Sequence, residues 1–310
     1  MYSRAVETGF QKFKKYKVLY LMVLPGIVYL LINNYLPMFG MIIAFKDINF
    51  SKGIIDSDWI GLKNFEYLFK TTDAYIITRN TILYNIVFIT LNLIIAVSLA
   101  ILLNELKNRL FSRFYQSVIL LPYLISSVII GYLVFSLLSM EHGFVNKSVL
   151  PLLGLDEMLW YNEPKYWPYI LTIVQVWKSA GYLCVIYLAA VLGIDHEYYE
   201  AATIDGANRL QQILHITIPL ITPVIIIMTL LQIGKIFHSD FGLFYQVPLD
   251  AGMLQPTTNV IDTYVYRALL KNGDIGMSSA AGLYQSIVGF VLVLISNIVV
   301  RKINRENALF

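Results

Sequence analysis

Lys178 stands near the middle of an apolar run from Trp167 to Leu192, with Gln175 three residues before it and Tyr182 four after it. On an α-helix those spacings put an amide, a cation and a phenol on one face. Such a set suits a hydroxyl-rich solute, whose donors and acceptors need amide, cationic and aromatic partners. A second reading has Lys178 paired inside a helix bundle, because a charge at the centre of a span costs about 2.5 to 3.5 kcal/mol even on insertion scales. Gln232 and Lys235, near the end of another apolar run, carry the same chemistry more weakly. Asn85 and Asn92 share a face of a third run, where amides also serve to join helices.

Covalent chemistry finds no comparable set. His142, His196, His215 and His238 are scattered without metal-ligand spacing. The chain holds no Gly-x-Ser-x-Gly elbow, no His-Glu-x-x-His pair and no Gly-x-x-x-x-Gly-Lys-Ser/Thr phosphate loop. Acidic residues in the loops do not identify a hydrolytic pair without geometry. The single Cys184 lies in an apolar run, which rules out an internal disulfide framework and suits a small packing residue.

A second constellation points to mechanics. Glu200-Ala201-Ala202-Thr203-Ile204-Asp205-Gly206-Ala207 leads through a basic amphipathic stretch to Ile216-Thr217-Ile218-Pro219. This segment is polar enough for water, yet lies between two long apolar runs. It reads as a helical elbow at a membrane surface. Ala201 and Ala202 favour helix and add little bulk, so another protein can approach closely. Glu200 offers a carboxylate to a basic group on that protein. Gly206 permits a sharp turn, and Asp205 is expected to fix the turn by bonding nearby amides. Pro219 falls near the start of the next run, where a missing amide donor costs least. The plainer alternative is an ordinary amphipathic connector with Glu200 solvated.

The elements that position these groups follow from composition. The chain of 310 residues is 57% hydrophobic and 14% charged, with mean hydropathy +0.65. Soluble domains carry about 25% charged residues, so an all-α integral membrane protein is expected. Six spans are read at about 18–45, 81–103, 115–138, 167–192, 216–237 and 279–300, with the elbow in the connector 193–215. The first run is read as a retained anchor, since no small-residue cleavage site follows it. Arg4, Lys12, Lys14, Lys15 and Lys17 precede the first span. Lys107, Arg109 and Arg113 lie between the second and third, and Arg301, Lys302 and Arg305 follow the last. Their density places both termini and the elbow in the cytoplasm. The expected organisation is a cytoplasmic tail at 1–17, a transmembrane domain at 18–301 and a second cytoplasmic tail at 302–310.

The outer segments read as ordered. Trp59-Ile60-Gly61-Leu62-Lys63-Asn64-Phe65 mixes aromatic, glycine and polar residues as a turn before a helix would. Trp160, Tyr161, Tyr166 and Trp167 serve as a water–lipid interface belt, as a surface for a partner, or as both.

The elbow resembles the cytoplasmic coupling loop of ABC importer permeases, whose pattern is Glu-Ala-Ala, three residues, Gly, nine residues, Ile, one residue, Leu, Pro. Glu200, Ala201, Ala202, Gly206, Ile216 and Pro219 match it, and Ile218 stands where the family usually has Leu. Tyr35 to Asp47, Trp59 to Phe65, Lys235 to Tyr245 and Val260 to Arg267 are similar to carbohydrate-uptake permeases of the oligosaccharide and polysaccharide-fragment subgroup. The resemblance spans about Tyr35 to Arg301. It implies the ABC importer permease (MetI-like) fold: six transmembrane helices and a coupling helix, in the bacterial plasma membrane. It implies a second permease subunit, two ATPase subunits that bind ATP and Mg, and an extracellular solute-binding protein, typically a lipoprotein. The chain would itself be no enzyme and hold no cofactor. Glu200, Ala201, Ala202, Asp205 and Gly206 would couple to the ATPase, while Gln175, Lys178, Tyr182, Gln232 and Lys235 would border the solute path. Peptides or other small solutes are the alternative cargo, because the coupling pattern is shared across importers. A membrane-embedded enzyme would need a reactive constellation, and a lone secondary transporter would work without ATP.

Overall fold

The computed structural model describes residues 15–106 and 108–303. Arg4, Lys12, Lys14, Lys107 and Arg305, the side chain of Arg109, and most of both expected tails lie outside the described residues. Among the described residues the chain is helical apart from a two-residue antiparallel ladder, in which Lys46 pairs with Trp59 and Asp47 with Asp58.

Helix α1 (Lys17–Leu30) continues through Leu31–Tyr35 and Leu36–Met38 to a 3-10 stretch at Phe39–Phe45. Trp59 stacks on Phe45 at 5.7 Å, and Gly61 turns the chain at φ +63 into α2 (Lys63–Lys70). There Asn64 donates to the carbonyls of Ala44 and Lys46, tying the turn to the end of the first span. Next come α3 (Thr72–Asn104), α4 (Arg109–Leu124), α5 (Ser127–Leu138) and α6 (Trp167–Leu192). The elbow holds α7 (His196–Ile204) and α8 (Arg209–Gln212), and α9 (Ile218–Ile233) continues from it. The return at the end away from the elbow is α10 (Phe241–Gln246) and α11 (Ile261–Leu270), and α12 (Ile275–Ile303) closes the bundle.

Among the described residues, five helical stretches are long and apolar enough to cross a membrane: Lys17–Phe45, Thr72–Asn104, Pro164–Leu192, Arg209–Ile233 and Ile275–Lys302. The expected third span, 115–138, is not one rod. Leu110–Leu124 and Ser127–Leu138 meet at 96°. Pro122 weakens the end of α4, and Ser126 starts α5 afresh by accepting the Ile129 amide. The expected second span, 81–103, lengthens to Thr72–Asn104, and the fifth, 216–237, shifts to Arg209–Ile233 because its helix already begins in the elbow.

Three π-type turns, Leu31–Tyr35, Val145–Val149 and Ile213–Thr217, each lead two residues on to a proline: Pro37, Pro151 and Pro219. A proline ring collides with the carbonyl four residues back and donates nothing to it. Widening the turn relieves the collision without ending the helix.

Helices α3 and α6 share the broadest interface of the bundle. Ala96 and Ala100 on α3 face Leu183, Cys184, Tyr187 and Leu188 on α6, and the small side chains let the axes approach. Toward the end away from the elbow, Tyr84, Phe88, Trp167, Leu171 and Phe244 form a second core. Glycine sets the approach elsewhere: a Cβ on Gly131 would lie 2.6 Å from the Gln246 carbonyl, and one on Gly242 2.5 Å from Ser127 Oγ.

Fully buried Asn146 organises the segment between α5 and α6. Its amide donates to the carbonyls of Leu138, Ser139 and Met158, and its Oδ1 accepts from the Met158 amide and Trp160 Nε1. Trp167 Nε1 then donates to the Trp160 carbonyl at 2.7 Å, and Tyr161 packs edge-on against Trp167. Asn146→Leu is expected to free this segment at a cost of about 3 kcal/mol, since several buried partners lose their bonds together. Limited proteolysis should then cut between Ser139 and Tyr166; a digest identical to the parent's would refute the role.

Candidate functional site

The elbow is a short helix clamped at both ends. Asp195 caps α7 by accepting the Glu197 amide at 3.1 Å. At the other end the Ala207 amide reaches the Ala202 carbonyl at 2.9 Å and the Gly206 amide reaches Thr203 at 3.1 Å. Gly206 takes φ +82, the left-handed residue that this double closure requires. The expected role of Asp205 is corrected here. Among the described residues the bonds that close the turn are all main-chain, because the left-handed glycine already satisfies the last carbonyls.

Glu200, Ala201, Asp205 and Gly206 are exposed and Ala202 is half-buried, so α7 presents its carboxylate and its small residues to the surroundings. Buried Gln212 ties α8 to α7 within the elbow. Its Nε2 donates to Thr203 Oγ1 at 2.9 Å, and its Oε1 accepts from Arg209 at 3.2 Å. Tyr199 and Thr217 share a hydroxyl bond at 2.9 Å, linking α7 to the start of the fifth span. Asn208 and Gln211 bond each other's amides in a reciprocal cap on α8. Arg209 approaches Glu105, at the end of α3, to 3.8 Å. Side-chain bonds therefore link α7 to α8 and to the residue before α9, and an exposed ion pair links α8 to the end of α3. Beside it opens a cavity of about 960 Å³, lined partly by Glu105, Arg113, His196 and Glu200. Gln212, Tyr199 and Thr217 escaped the sequence reading. The one available signal was Gln212 as an amide four residues before an apolar run.

In the bundle, Lys178 is paired. Its Nζ donates to Asp240 Oδ2 at 3.1 Å and to Ser127 Oγ at 2.9 Å, with the lysine side chain 13% and the aspartate 36% exposed. Of the two readings open for Lys178, the geometry supplies the internal pair. Three elements meet there: α6, the first residue of α5 at the bend, and the cap of α10, where Asp240 Oδ1 accepts the Leu243 amide. Tyr182 stacks on Tyr123 at 4.6 Å and 12°. Gln175 Oε1 and Gln232 Nε2 are buried without a hydrogen-bond partner among the described residues. Lys235 is exposed in the turn after α9, and no hydrogen bond or ion pair joins Gln232 or Lys235 to Lys178. Asn85 joins helices, donating to the Ile236 carbonyl at 2.9 Å.

Next to Asp240 lies an aromatic cluster the sequence reading missed. Phe241 stacks on Tyr245 at 4.9 Å, and Tyr266 closes on both at 4.8 and 5.0 Å. Asp250 anchors its far side, bonded to Arg267 and Lys271 while held, with Leu249, at positive φ. Such backbone strain persists only where neighbours over-determine it, and the two cations do so. Bonding to Asp250 raises the Lys271 ammonium above the usual lysine range. The Lys178–Asp240 pair, the three rings and the Arg267–Asp250–Lys271 cluster are therefore contiguous. The rings carry flat apolar faces, while the charges bond to one another within the chain.

Residues 93–305 match the family described as binding-protein-dependent transport system inner membrane component. The chain is 38% identical over 291 residues to the polygalacturonan/rhamnogalacturonan transport system permease protein YteP of Bacillus subtilis (strain 168), covering 94% of this chain and 89% of that protein. Among solved structures it is similar to a chain of a bacterial ABC transporter involved in the import of the acidic polysaccharide alginate. The TM-score is 0.87 at 32% identity, covering 95% of this chain and 99% of that one. A further structure, a bacterial alginate ABC transporter in complex with alginate pentasaccharide-bound periplasmic protein, gives a TM-score of 0.86 at 31% identity, covering 96% and 98%.

Proposed function

The chain belongs to the family of binding-protein-dependent transport system inner membrane components, and on that premise we propose that it is the permease subunit of an ABC importer for oligosaccharides. The observation that carries the substrate reading is end-to-end likeness to a permease for polygalacturonan and rhamnogalacturonan, together with the alginate importer. These relatives favour sugars over the peptide alternative. The aromatic cluster beside Asp240 supports the same reading, because its three rings suit a pyranose face.

Energy enters at the elbow. Two ATPase subunits bind ATP and Mg, and Glu200, Ala201, Ala202, Asp205 and Gly206 form the docking face. ATP-driven closure of the ATPases pushes α7, and Gln212, Tyr199 and Arg209 carry the push to the spans. The chain alternates between outward-open and inward-open states without covalent chemistry of its own. The elbow and both termini face the cytoplasm, and the aromatic outer segments face an extracellular solute-binding protein, a lipoprotein in this reading.

A second permease subunit completes the membrane unit. Helix α1 is apolar, yet it has no buried residue. A helix that buries nothing in its own chain is suited to the surface of another.

Glu200→Lys tests the coupling role. Expected is normal assembly with the second permease and uptake at least tenfold below the parent, since a reversed charge costs several kcal/mol at a docking face. Normal uptake of labelled oligosaccharide would count against it.

A further inference from the structure

The end of the α3–α6 interface away from the elbow carries a groove of about 290 Å³. Leu83, Tyr84, Val87, Pro168 and Thr172 wall it, and Arg79 closes its outer end. From residue 79 to residue 87 the helix rises about 12 Å. The polar groups of the walls are spent within the chain: Tyr84 donates its hydroxyl to the Thr257 carbonyl at 2.9 Å, and Thr172 donates to Pro168 at 2.6 Å. Asn80 and Thr257, which also border the groove, donate to the Asn259 and Pro164 carbonyls, so its free lining is mostly hydrocarbon, with Leu83 and Val87 exposed along the rim.

Arg79 is held in place but is not neutralised. Its Nε and Nη2 donate to Asn80 Oδ1 at 3.2 and 3.0 Å, and Nη2 also donates to the Pro256 carbonyl at 3.2 Å. Its guanidinium lies 5.6 Å from the Tyr75 ring centroid. These bonds leave the Nη1 donors unspent, and among the described residues no carboxylate forms an ion pair with Arg79. Lys178, Arg267 and Lys271, by contrast, each have an aspartate. Arg79 also stands two residues before the apolar run of α3 read at 81–103, a position suited to lipid headgroups.

We propose that this groove is a binding site for an anionic glycerophospholipid, with an acyl chain along Leu83 and Val87 and the headgroup phosphate on Arg79. Charge complementarity selects this occupant. A guanidinium whose Nη1 donors are free matches phosphate oxygens, and a dry apolar wall matches a hydrocarbon chain. The bound lipid would wedge the outer ends of α3 and α6, the pair with the broadest interface in the bundle.

The test uses the full-length chain in its assembled membrane complex, delipidated and titrated with phosphatidylglycerol and phosphatidylcholine, with native mass spectrometry counting adducts. Phosphatidylglycerol should bind about tenfold more tightly, because both lipids carry a phosphate but the choline cation of phosphatidylcholine offsets its charge beside Arg79. Arg79→Gln should erase that preference and Arg79→Lys should keep most of it, while Val87→Trp should block both lipids. Equal binding of the two lipids by the parent, or an unchanged preference in Arg79→Gln, would overturn the proposal. So would a disulfide between Leu83→Cys and a cysteine on the second permease, because a protein would then cover the groove. Circular dichroism and the elution volume of each variant separate loss of the site from loss of fold.

Discussion

Gly181→Ala is expected to lower the stability of the assembled bundle by about 3 kcal/mol, near the upper end for overpacking a close helix contact. A Cβ at position 181 would fall inside the Ile119 carbonyl and press on the Leu120 amide. Both groups are main chain of α4, so no side chain can swing aside to make room. Separating α4 from α6 would also pull Ser127 away from Lys178, because α5 continues directly from the bend. Gly282→Ala is the control: it sits in a span too, but nothing lies within 4 Å of its added Cβ. Thermal melting of both variants in one detergent decides the matter. Equal melting temperatures would mean that α4 and α6 do not meet at Gly181.

The second large effect concerns the ion pair at the bend. Lys178→Met leaves Asp240 without its cation and Ser127 without its donor. Removing one partner of a buried pair costs about 3 to 5 kcal/mol. The aspartate side chain is 36% exposed and still caps α10, so a loss of about 2 kcal/mol is expected after solvent screening. The double variant Lys178→Met with Asp240→Asn should be less damaged than the sum of the two single variants. A coupling energy of about 1 to 2 kcal/mol is expected from the mutant cycle. Strict additivity would show that the two groups do not stabilise one another.

The elbow was legible because its evidence is local. Glu200, Ala201, Ala202 and Gly206 lie within seven residues, and a polar stretch between two apolar runs has few places to go in a membrane protein. Gly206 was read as a turn from its type alone, and the backbone places it at φ +82. The spans were legible for the same reason, since each needs only its own apolar length. Their bounds were less so: helix continues past the hydrocarbon wherever polar residues keep the hydrogen-bond pattern, as at Thr72 to Asn80.

The bend in the third span was hidden inside an apolar run. Hydropathy records composition and carries no direction, and Pro122 and Ser126 are each common enough in such a run to pass unremarked. The partner of Lys178 was hidden by distance: Asp240 lies 62 residues away and Ser127 51. The aromatic cluster joins Phe241 and Tyr245 to Tyr266 on another helix.

Chain chemistry alone therefore settled which segments enter lipid and where a water-facing elbow interrupts them, since hydration and helix closure act between near neighbours. Which face of each span meets which other, and whether Lys178 is spent internally, arose from packing. Pairwise contact between distant residues depends on the path of the chain in space, and a linear order of residues does not contain that path until the bundle has formed.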